Sequence, residues 1–381
     1  MTIAQTTPTP ALFQPLRVGT SELKHRVVLA PLTRFRNHAS HVPGPQLAEH
    51  YAQRGSVPGT LLISEATYIA PRAAGLAHAP GIWNDEQVDE WRKVTDAVHA
   101  KGSFIYLQLW ALGRTADPTS LAGEGTSLTT GKPYDVVAPS PVPLPKPDGT
   151  TGALPRELTV PEIKEYVHLY ATAAENAVHR AGFDGIELHG ANGFLIDQFL
   201  QDVSNTRDDA YGGSVENRVR FTLEVIDAVI QAIGKERTAI RISPWGKIQG
   251  MGMSDPVPTF THLVAQLAAR DIAYIHVIEP RAQGLEVIED APGSNDFLRK
   301  IWGSRPYIAA GGFTRESGIK DAEENLKSGL VAYGRLFISN PDLPKRLEKD
   351  LALTPSDRSK YYLLGDLTPL GYTDWEFAEE S

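Results

Sequence analysis

The chain alternates short apolar segments with longer amphipathic segments over most of its length. Eight apolar segments predict strands at 27–30, 60–64, 104–109, 185–188, 238–242, 273–278, 307–310 and 330–333. Their apolar positions are continuous rather than alternating, which is typical of parallel strands that are buried on both faces. Between the strands, apolar residues three and four positions apart predict amphipathic helices.

Two of these helices carry clear end signals. Thr159 and Glu162 have the spacing of a capping box, and Gly182 supplies a stop after the following apolar positions. Ser214 and Gly234 bound a second helix in the same way. Eight strand–helix units favour an α/β fold, a single-domain (β/α)8 TIM barrel, and a doubly wound open sheet is the alternative.

One long segment interrupts this alternation. Residues 111–157 are rich in Gly, Pro, Thr and Ser, and every second residue from 139 to 147 is proline. Loops of this length inside a compact domain are usually functional or disordered. The segment leaves the third strand on the side where barrel active sites lie, so we interpret it as a lid, with a surface insertion as the alternative. The predicted domain spans 11–375, between tails at 1–10 and 376–381.

Composition narrows the classes of function. The chain of 381 residues has a formal net charge of −9, which argues against nucleic acid or an anionic membrane as a partner. It has no cysteine, which excludes disulfides, thiolate metal sites and a cysteine nucleophile. The N-terminal residues lack a signal-peptide core, and no segment approaches the length of a membrane helix. We therefore expect a cytoplasmic monomer or homodimer without a metal, acting on a small molecule.

Glycine and arginine residues follow the last two predicted strands. Gly311 and Gly312 let backbone amides approach an anion, and Gly334 with Arg335 adds further amides and a guanidinium. Barrels often bind phosphate after their seventh and eighth strands. This pattern favours a phosphate site, and glycines that only turn tight loops are the alternative.

Polar residues also mark the exits of earlier strands. His189 and Asn192 follow the fourth strand and can both donate hydrogen bonds into one small volume, which suits the polarisation of a carbonyl or nitro oxygen. Arg241 lies inside an apolar strand, where it either forms a structural ion pair or contacts the electron-rich edge of a ring cofactor. Gln108 and Thr33 either bond such a ring or are satisfied core groups.

Together these segments resemble the Old Yellow Enzyme family of flavin-dependent ene-reductases. The resemblance extends from about Leu12 to Trp375, is weakest in 111–157, and looks closest to fungal and yeast members. The segments that carry it are 25–34, 108–110, 189–194, 204–207, 211–218, 279–281, 294–297 and 338–343.

The resemblance implies tightly bound FMN, reduction by NADPH, and a ping-pong hydride transfer to an electron-poor alkene in the same pocket. It implies FMN contacts from Pro31, Leu32, Thr33, Ala66, Gln108, Arg241, Gly311, Gly312, Gly334 and Arg335. His189 and Asn192 would bind the activating oxygen of the substrate, and Thr33 would tune the flavin. The implied substrate contacts are Tyr68, Trp110, Phe194, Phe297 and Tyr372.

The chain departs from the family pattern at Phe194, where the family has a tyrosine that donates a proton. Three hypotheses follow: reduction with a proton from water or from Tyr68 or Tyr372, net isomerisation of the alkene, or a specialised biosynthetic substrate. Outside this chemistry, the alternatives are an FMN-binding protein without turnover and another phosphate-binding barrel such as an aldolase or isomerase. A paired-carboxylate glycosidase using Glu187 and Glu279 is a further alternative.

Overall fold

Eight parallel strands close into a barrel in the computed structural model, which describes residues 8–127, 130–284 and 286–379. The strands are β1 (Val27–Leu29), β2 (Leu61–Tyr68), β3 (Phe104–Trp110), β4 (Gly185–Gly190), β5 (Thr238–Ile242), β6 (Tyr274–Ile278), β7 (Tyr307–Ala310) and β8 (Gly329–Tyr333). Each pairs with its neighbours in chain order, and β8 pairs with β1 to complete the circle. The predicted (β/α)8 barrel is confirmed, and the open sheet is wrong.

Helices between the strands form the outer layer. They are α1 (Leu47–Arg54), α2 (Asp85–His99), α3 (Pro118–Gly123), α4 (Val160–Glu175), α5 (Leu195–Leu200), α6 (Val215–Ile233), α7 (Val257–Arg270), α8 (Asp296–Trp302), α9 (Arg315–Glu324), α10 (Arg335–Ser339) and α11 (Leu343–Lys349). Within the described ranges, no helix combines the length and the hydropathy needed to cross a bilayer.

The predicted helix ends are confirmed. Thr159 accepts a hydrogen bond from the backbone of Glu162, whose side chain bonds back, so the capping box is complete. The helix continues past α4 as a short π-helical turn and stops at Gly182, whose φ is 81°. Ser214 caps α6, and Gly234 ends it with a φ of 88°. A residue with a Cβ would be strained at either position, because the backbone there has a positive φ that favours glycine.

A β-hairpin closes the bottom of the barrel. It consists of strands Leu16–Val18 and Ser21–Leu23, and its apolar residues pack against the lower interior of the barrel. Gly19 turns the hairpin with a φ of 55°, and a Cβ there would lie 2.0 Å from the carbonyl oxygen of Glu236. The N-terminal end of the barrel is therefore filled, which leaves the C-terminal end for ligands.

The structure describes the two predicted tails only in part. Residues 1–7 and 380–381 lie outside the described residues, as do 128–129 of the predicted lid. The carbonyl oxygen of Glu376 accepts a hydrogen bond from Arg346 at 2.8 Å, and the backbone amide of Ala378 donates to Asp342 at 2.8 Å. The described part of the C-terminal segment is thus bonded to α11.

A bulge in β2 shifts the pairing of this strand with β3. The pairing register with β3 shifts between Ile63 and Ala66, so that Ala66 lies opposite Gln108. Glu65 lies in this shift and is wholly buried, accepting hydrogen bonds from the backbone of Arg34 and, at 3.3 Å, from Asn37. Burial raises the pKa of Glu65 to about 7. The acid is consequently favoured in its neutral form in the folded state.

This raised pKa makes stability depend on pH. A raised folded-state pKa contributes stability below the unfolded value, which is lost as the pH rises through the folded value. We therefore expect Glu65→Gln to gain stability relative to the wild type, by about 3 kcal/mol, as the pH rises from about 4.5 to about 7. Thermal unfolding across this range measures it, with the exposed Glu348→Gln as the control. Equal pH responses of the two variants would contradict the account.

Candidate active site

One large cavity of about 890 Å³ opens at the C-terminal end of the barrel. Every barrel strand contributes to its wall at or near its end, through Ala30, Ala66, Gln108, Trp110, His189, Arg241, Ile278, Ala310, Ala332 and Tyr333. The predicted site residues that line it are Pro31, Leu32, Thr33, Ala66, Gln108, Trp110, His189, Asn192, Phe194, Arg241, Gly311, Gly312, Gly334 and Arg335. Its volume is in the range of small-molecule and cofactor sites.

Three predicted substrate contacts are not among the lining residues, which corrects their expected position. Tyr68 is wholly buried and stacks on Trp110 with ring centroids 5.0 Å apart. Tyr372 is wholly buried and stacks on His50 at 3.9 Å. Phe297 packs against the core between the barrel and the helices.

The two carboxylates considered for glycoside hydrolysis are also absent from the cavity wall. Glu187 is wholly buried in the barrel interior, where it bonds Gln108 and His276. Glu279 lies 3.8 Å from Arg299. Neither carboxylate faces a position where a sugar would bind.

Close backbone packing shapes one end of the cavity. Gly312 has a φ of 63°, and a Cβ there would lie 2.7 Å from Val287. A Cβ on Gly311 would lie 2.9 Å from the Cβ of Glu279. Only glycine fits at these positions, and the exposed backbone amides, with Arg335 nearby on the wall, suit a phosphate group.

Polar side chains line the middle of the cavity. Arg241 is partly buried, and within the described residues its buried Nε has no hydrogen-bond partner and no carboxylate lies within ion-pair distance. The structural ion pair considered for Arg241 is therefore not formed. Gln108 and Thr33 line the same cavity. A buried donor without a partner calls for a ligand acceptor, and the edge of a flavin ring offers one.

The exit of β4, which carries the predicted donors His189 and Asn192, forms a tight turn. Asn192 has a φ of 59°, and its backbone amide donates to Ser243 Oγ at 2.9 Å. The amide of Gly193 donates to Asp197 Oδ2 at 2.8 Å. Sequence reasoning missed Ser243 and Asp197, which hold this turn from β5 and α5. Both are polar residues at positions where the surrounding apolar pattern predicts burial, and this polarity could have identified them.

His189 is held in its neutral form. Burial lowers the pKa of His189 well below its usual value, and the charge of Arg241 lowers it further. Its Nδ1 is buried without a hydrogen-bond partner in the described part of the chain. A neutral imidazole can donate one hydrogen bond to a substrate oxygen without carrying charge into the site.

Aromatic rings surround the position of the missing tyrosine. Phe194 packs edge-on against His189, with ring centroids 4.7 Å apart, and against Trp110 at 4.8 Å. Trp110 in turn lies against Tyr68. Phe194 thus lies beside the two donors with no hydroxyl of its own.

Loops distant in sequence complete the wall. They contribute Phe35, Leu76, Thr115, Leu144, Ile248, Gln249, Ala282, Gly284, Glu286, Val287, Ser356, Tyr361 and Tyr362. Most of these side chains are apolar or aromatic, which favours a largely apolar ligand body. Thr115 and Leu144 belong to the predicted lid, and for most of the others the sequence offered no signal, because loop conformations decide which of them reach the cavity.

Arg114 joins two of these loops. It donates to the carbonyl oxygen of Val142 in the predicted lid at 3.4 Å, and to those of Gln249 and Gly250 at 3.0 and 3.3 Å. A Cβ on Gly250 would lie 2.4 Å from Pro145, so the two loops are in direct contact. That the lid opens and closes stays a prediction.

We expect Arg114→Met to loosen this contact. Charged hydrogen bonds of this kind each contribute about 1.5–3 kcal/mol, so kcat/KM for a bulky enone should fall about tenfold while bound cofactor is retained. Limited proteolysis should then cut faster between residues 139 and 147. Arg156→Met, at a half-exposed lid arginine paired with Glu162, is the control. Unchanged proteolysis and kinetics would contradict the role of Arg114.

Comparisons with known proteins agree with this geometry. The family model described as NADH:flavin oxidoreductase / NADH oxidase matches residues 11–354. The chain belongs to this family. The structure of the old yellow enzyme homologue from Zymomonas mobilis is similar, with a TM-score of 0.87 and 39% identity over 96% of this chain and 99% of that chain.

Fungal relatives are more similar in sequence. The chain is 49% identical to the chanoclavine-I aldehyde reductase fgaOx3 of Penicillium roqueforti, and the match covers 97% of each chain. It is 47% identical to the NADP-dependent oxidoreductase lnbE of Aspergillus flavus, again over 97% of each. The resemblance to Old Yellow Enzymes is thereby confirmed: this is an oxidoreductase of an FMN-dependent family. Aldolases and sugar hydrolases are set aside.

Proposed function

We propose that the protein is an FMN-dependent ene-reductase that reduces activated C=C bonds of α,β-unsaturated carbonyl or nitro compounds with NADPH. One observation carries this proposal. A single cavity is lined by glycine backbone at Gly311 and Gly312, by Arg241 with its buried and unpartnered Nε, and by the His189–Asn192 donor pair. Cofactor contacts and substrate contacts are thus within one volume.

The cofactor residues divide by the part of FMN that they would hold. The backbone at Gly311, Gly312 and Gly334, with the Arg335 guanidinium, would hold the phosphate. The ring would lie against Pro31, Leu32, Thr33, Ala66, Gln108 and Arg241. Thr33 would donate to a ring carbonyl and tune the reduction potential.

When bound and reduced, FMN supplies a hydride to the β-carbon of the alkene. As that bond forms, negative charge develops on the carbonyl or nitro oxygen of the substrate. His189 and Asn192 donate hydrogen bonds to this oxygen and stabilise the charge more in the transition state than in the ground state. Because burial keeps His189 neutral, its imidazole can donate to the substrate oxygen and does not attract an anion that would compete with the substrate.

Water is the proposed source of the second proton. Phe194 has no hydroxyl, and the two tyrosines considered as alternative donors, Tyr68 and Tyr372, do not line the cavity. The hydroxyl of Tyr68 donates to the backbone of Leu76. An α-carbon anion next to a carbonyl can take its proton from solvent, more slowly than from a placed acid.

The names of the relatives support two further details. One is called an NADP-dependent oxidoreductase, which favours NADPH as the reductant. Another is called an aldehyde reductase, which favours an unsaturated aldehyde among the possible substrates. A cytoplasmic location, the monomeric or dimeric state and one functional domain over 11–375 stay predictions.

Phe194 also favours a second candidate function. If protonation is slower than return of the hydride, the substrate anion rotates first and the net result is isomerisation of the alkene. A specialised biosynthetic enzyme with this outcome is the alternative to a general reductase. The aromatic contacts of Phe194, which leave no hydroxyl beside the donors, are the observation behind it.

A cofactor and turnover assay tests the proposal. FMN released by denaturation should equal the protein in amount, and 2-cyclohexenone should accelerate anaerobic NADPH oxidation. Cinnamaldehyde serves as a matched unsaturated aldehyde. A colourless protein would refute the cofactor, and a yellow protein that oxidises NADPH equally fast with and without either alkene would refute the ene-reductase.

A further inference from the structure

A buried carboxylate lies beneath the cavity and has no part in the proposed chemistry. Glu187 is wholly buried in β4 and is not among the lining residues. Gln108 Nε2 donates to Glu187 Oε1 at 2.7 Å, and His276 Nδ1 lies 2.9 Å from Glu187 Oε2. The carboxylate therefore accepts on both of its oxygens, from a donor on each side.

Strand pairing places these groups directly under the ring contacts. Glu187 pairs with Gln108 across β3 and β4, and Arg241 pairs with His276 and with His189 across its two neighbouring strands. Register partners on adjacent parallel strands point to the same face of a sheet. All five side chains consequently point into the barrel, with Glu187 one layer below His189.

We propose that Glu187 is a positioning residue for the flavin ring, which fixes the amide of Gln108 and balances the charge of Arg241. It would thereby set both the affinity for FMN and the reduction potential of the bound ring. This inference rests on the proposed function, because Gln108 and Arg241 act on the flavin only if FMN occupies the cavity.

Glu187 fixes which end of the Gln108 amide faces the cavity. The oxygen and the nitrogen of Gln108 are nearly equal in size, so packing alone does not choose between them. Glu187 only accepts hydrogen bonds and so selects the nitrogen. The oxygen is then turned toward the cavity, where it can accept from the N–H of the flavin pyrimidine.

Glu187 also changes the charge beneath the cavity. Burial lowers the pKa of His276, which favours its neutral form, so the carboxylate of Glu187 lies one layer below the guanidinium of Arg241 with a neutral imidazole beside it. Burial also lowers the pKa of Arg241, and the charge of Glu187 raises it again. Without the carboxylate, the guanidinium would act on the ring unbalanced and favour its reduced, more negative state.

Two variants with opposite expected effects test the proposal. Glu187→Gln keeps the shape, and we expect a tenfold weaker affinity for FMN with the two-electron reduction equilibrium shifted tenfold toward the reduced state, about 30 mV. His276→Phe removes a hydrogen-bond donor to Glu187 and leaves the carboxylate less neutralised. The reduction equilibrium of the FMN bound to this variant should therefore shift toward the oxidised state. His276→Gln restores a donor and should return the potential toward the wild-type value.

Opposite shifts, with recovery in His276→Gln, would support the proposal. Potentials equal to the wild type, whatever the change in Tm, would overturn it, as would shifts of the same sign in Glu187→Gln and His276→Phe. If Glu187→Gln does not fold, the two His276 variants carry the test by the sign of their shifts. A wild-type chain that binds no FMN would instead refute the proposed function.

Discussion

Replacing His189 with alanine is expected to lower kcat/KM for an activated enone by about 10²–10³-fold, because one of two donors to the developing oxyanion is lost. Asn192→Ala should have a similar effect. His189 lines the cavity at the exit of β4, and its unpartnered Nδ1 shows that no other protein group competes for this imidazole in the described residues. Both variants should retain bound FMN, because neither residue is assigned to hold its phosphate.

The same residue predicts a flat pH profile. Because burial lowers the pKa of His189 well below 6.5, the imidazole is neutral between about pH 6 and about pH 8. Titration of His189 should therefore cause no change across this range in the stopped-flow rate at which the reduced enzyme reacts with an enone. A change in rate near the usual histidine pKa that disappears in His189→Ala would contradict a neutral His189. Unchanged kcat/KM in both His189→Ala and Asn192→Ala would refute the oxyanion site.

The second large effect is expected at Phe194. Phe194→Tyr should raise the rate of saturated product by about 10²-fold wherever protonation limits turnover, which is the lower end for general acid catalysis. The ring lies edge-on to His189 at 4.7 Å, so a hydroxyl added to it would be near the bound substrate. Any isomerised alkene should disappear, because the substrate anion would be protonated before it rotates.

A matched variant separates the hydroxyl from the ring. Phe194→Leu removes the contacts with Trp110 and His189 without adding an acid. It should alter KM but not accelerate protonation. Solvent deuterium incorporation and the ratio of reduced to isomerised product measure the difference. If Phe194→Tyr left both the rate and the product ratio unchanged, the position would have no part in choosing the outcome.

The barrel could be predicted because its signals are local. Continuous apolar runs located all eight strands to within a few residues, and capping residues such as Thr159 and Ser214 located helix starts. Residues next to strand ends were also predictable, since a closed parallel barrel brings those ends together. His189, Gln108 and Arg241 lie on the cavity wall for this reason.

The remaining wall depends on long-range contacts that no local pattern encodes. Tyr372 was expected at the cavity, but the guanidinium groups of Arg34 and Arg36 lie over its ring at 5.2 and 5.3 Å, behind the wall. Tyr361 and Tyr362, which precede Tyr372 by eleven and ten residues, do line the cavity. The path of the C-terminal segment across the barrel decides which of these rings is presented.

Glu187 illustrates the same limit within a strand. It lies two residues before His189 in β4, so its side chain shares the inward face of that strand. Its partners Gln108 and His276 come from strands far apart in sequence, so only the closed barrel reveals their hydrogen bonds. The register of β3, β4 and β6 therefore turns an isolated acid into part of the floor under the proposed flavin.

A single-turnover experiment tests the central claim most directly. The FMN-loaded protein is reduced under anaerobic conditions with one equivalent of NADPH and then mixed with 2-cyclohexenone, while flavin absorbance and products are followed. The account predicts recovery of the oxidised flavin with an equal amount of cyclohexanone, despite Phe194. Flavin that stays reduced, with the alkene recovered unreduced or isomerised, would contradict it.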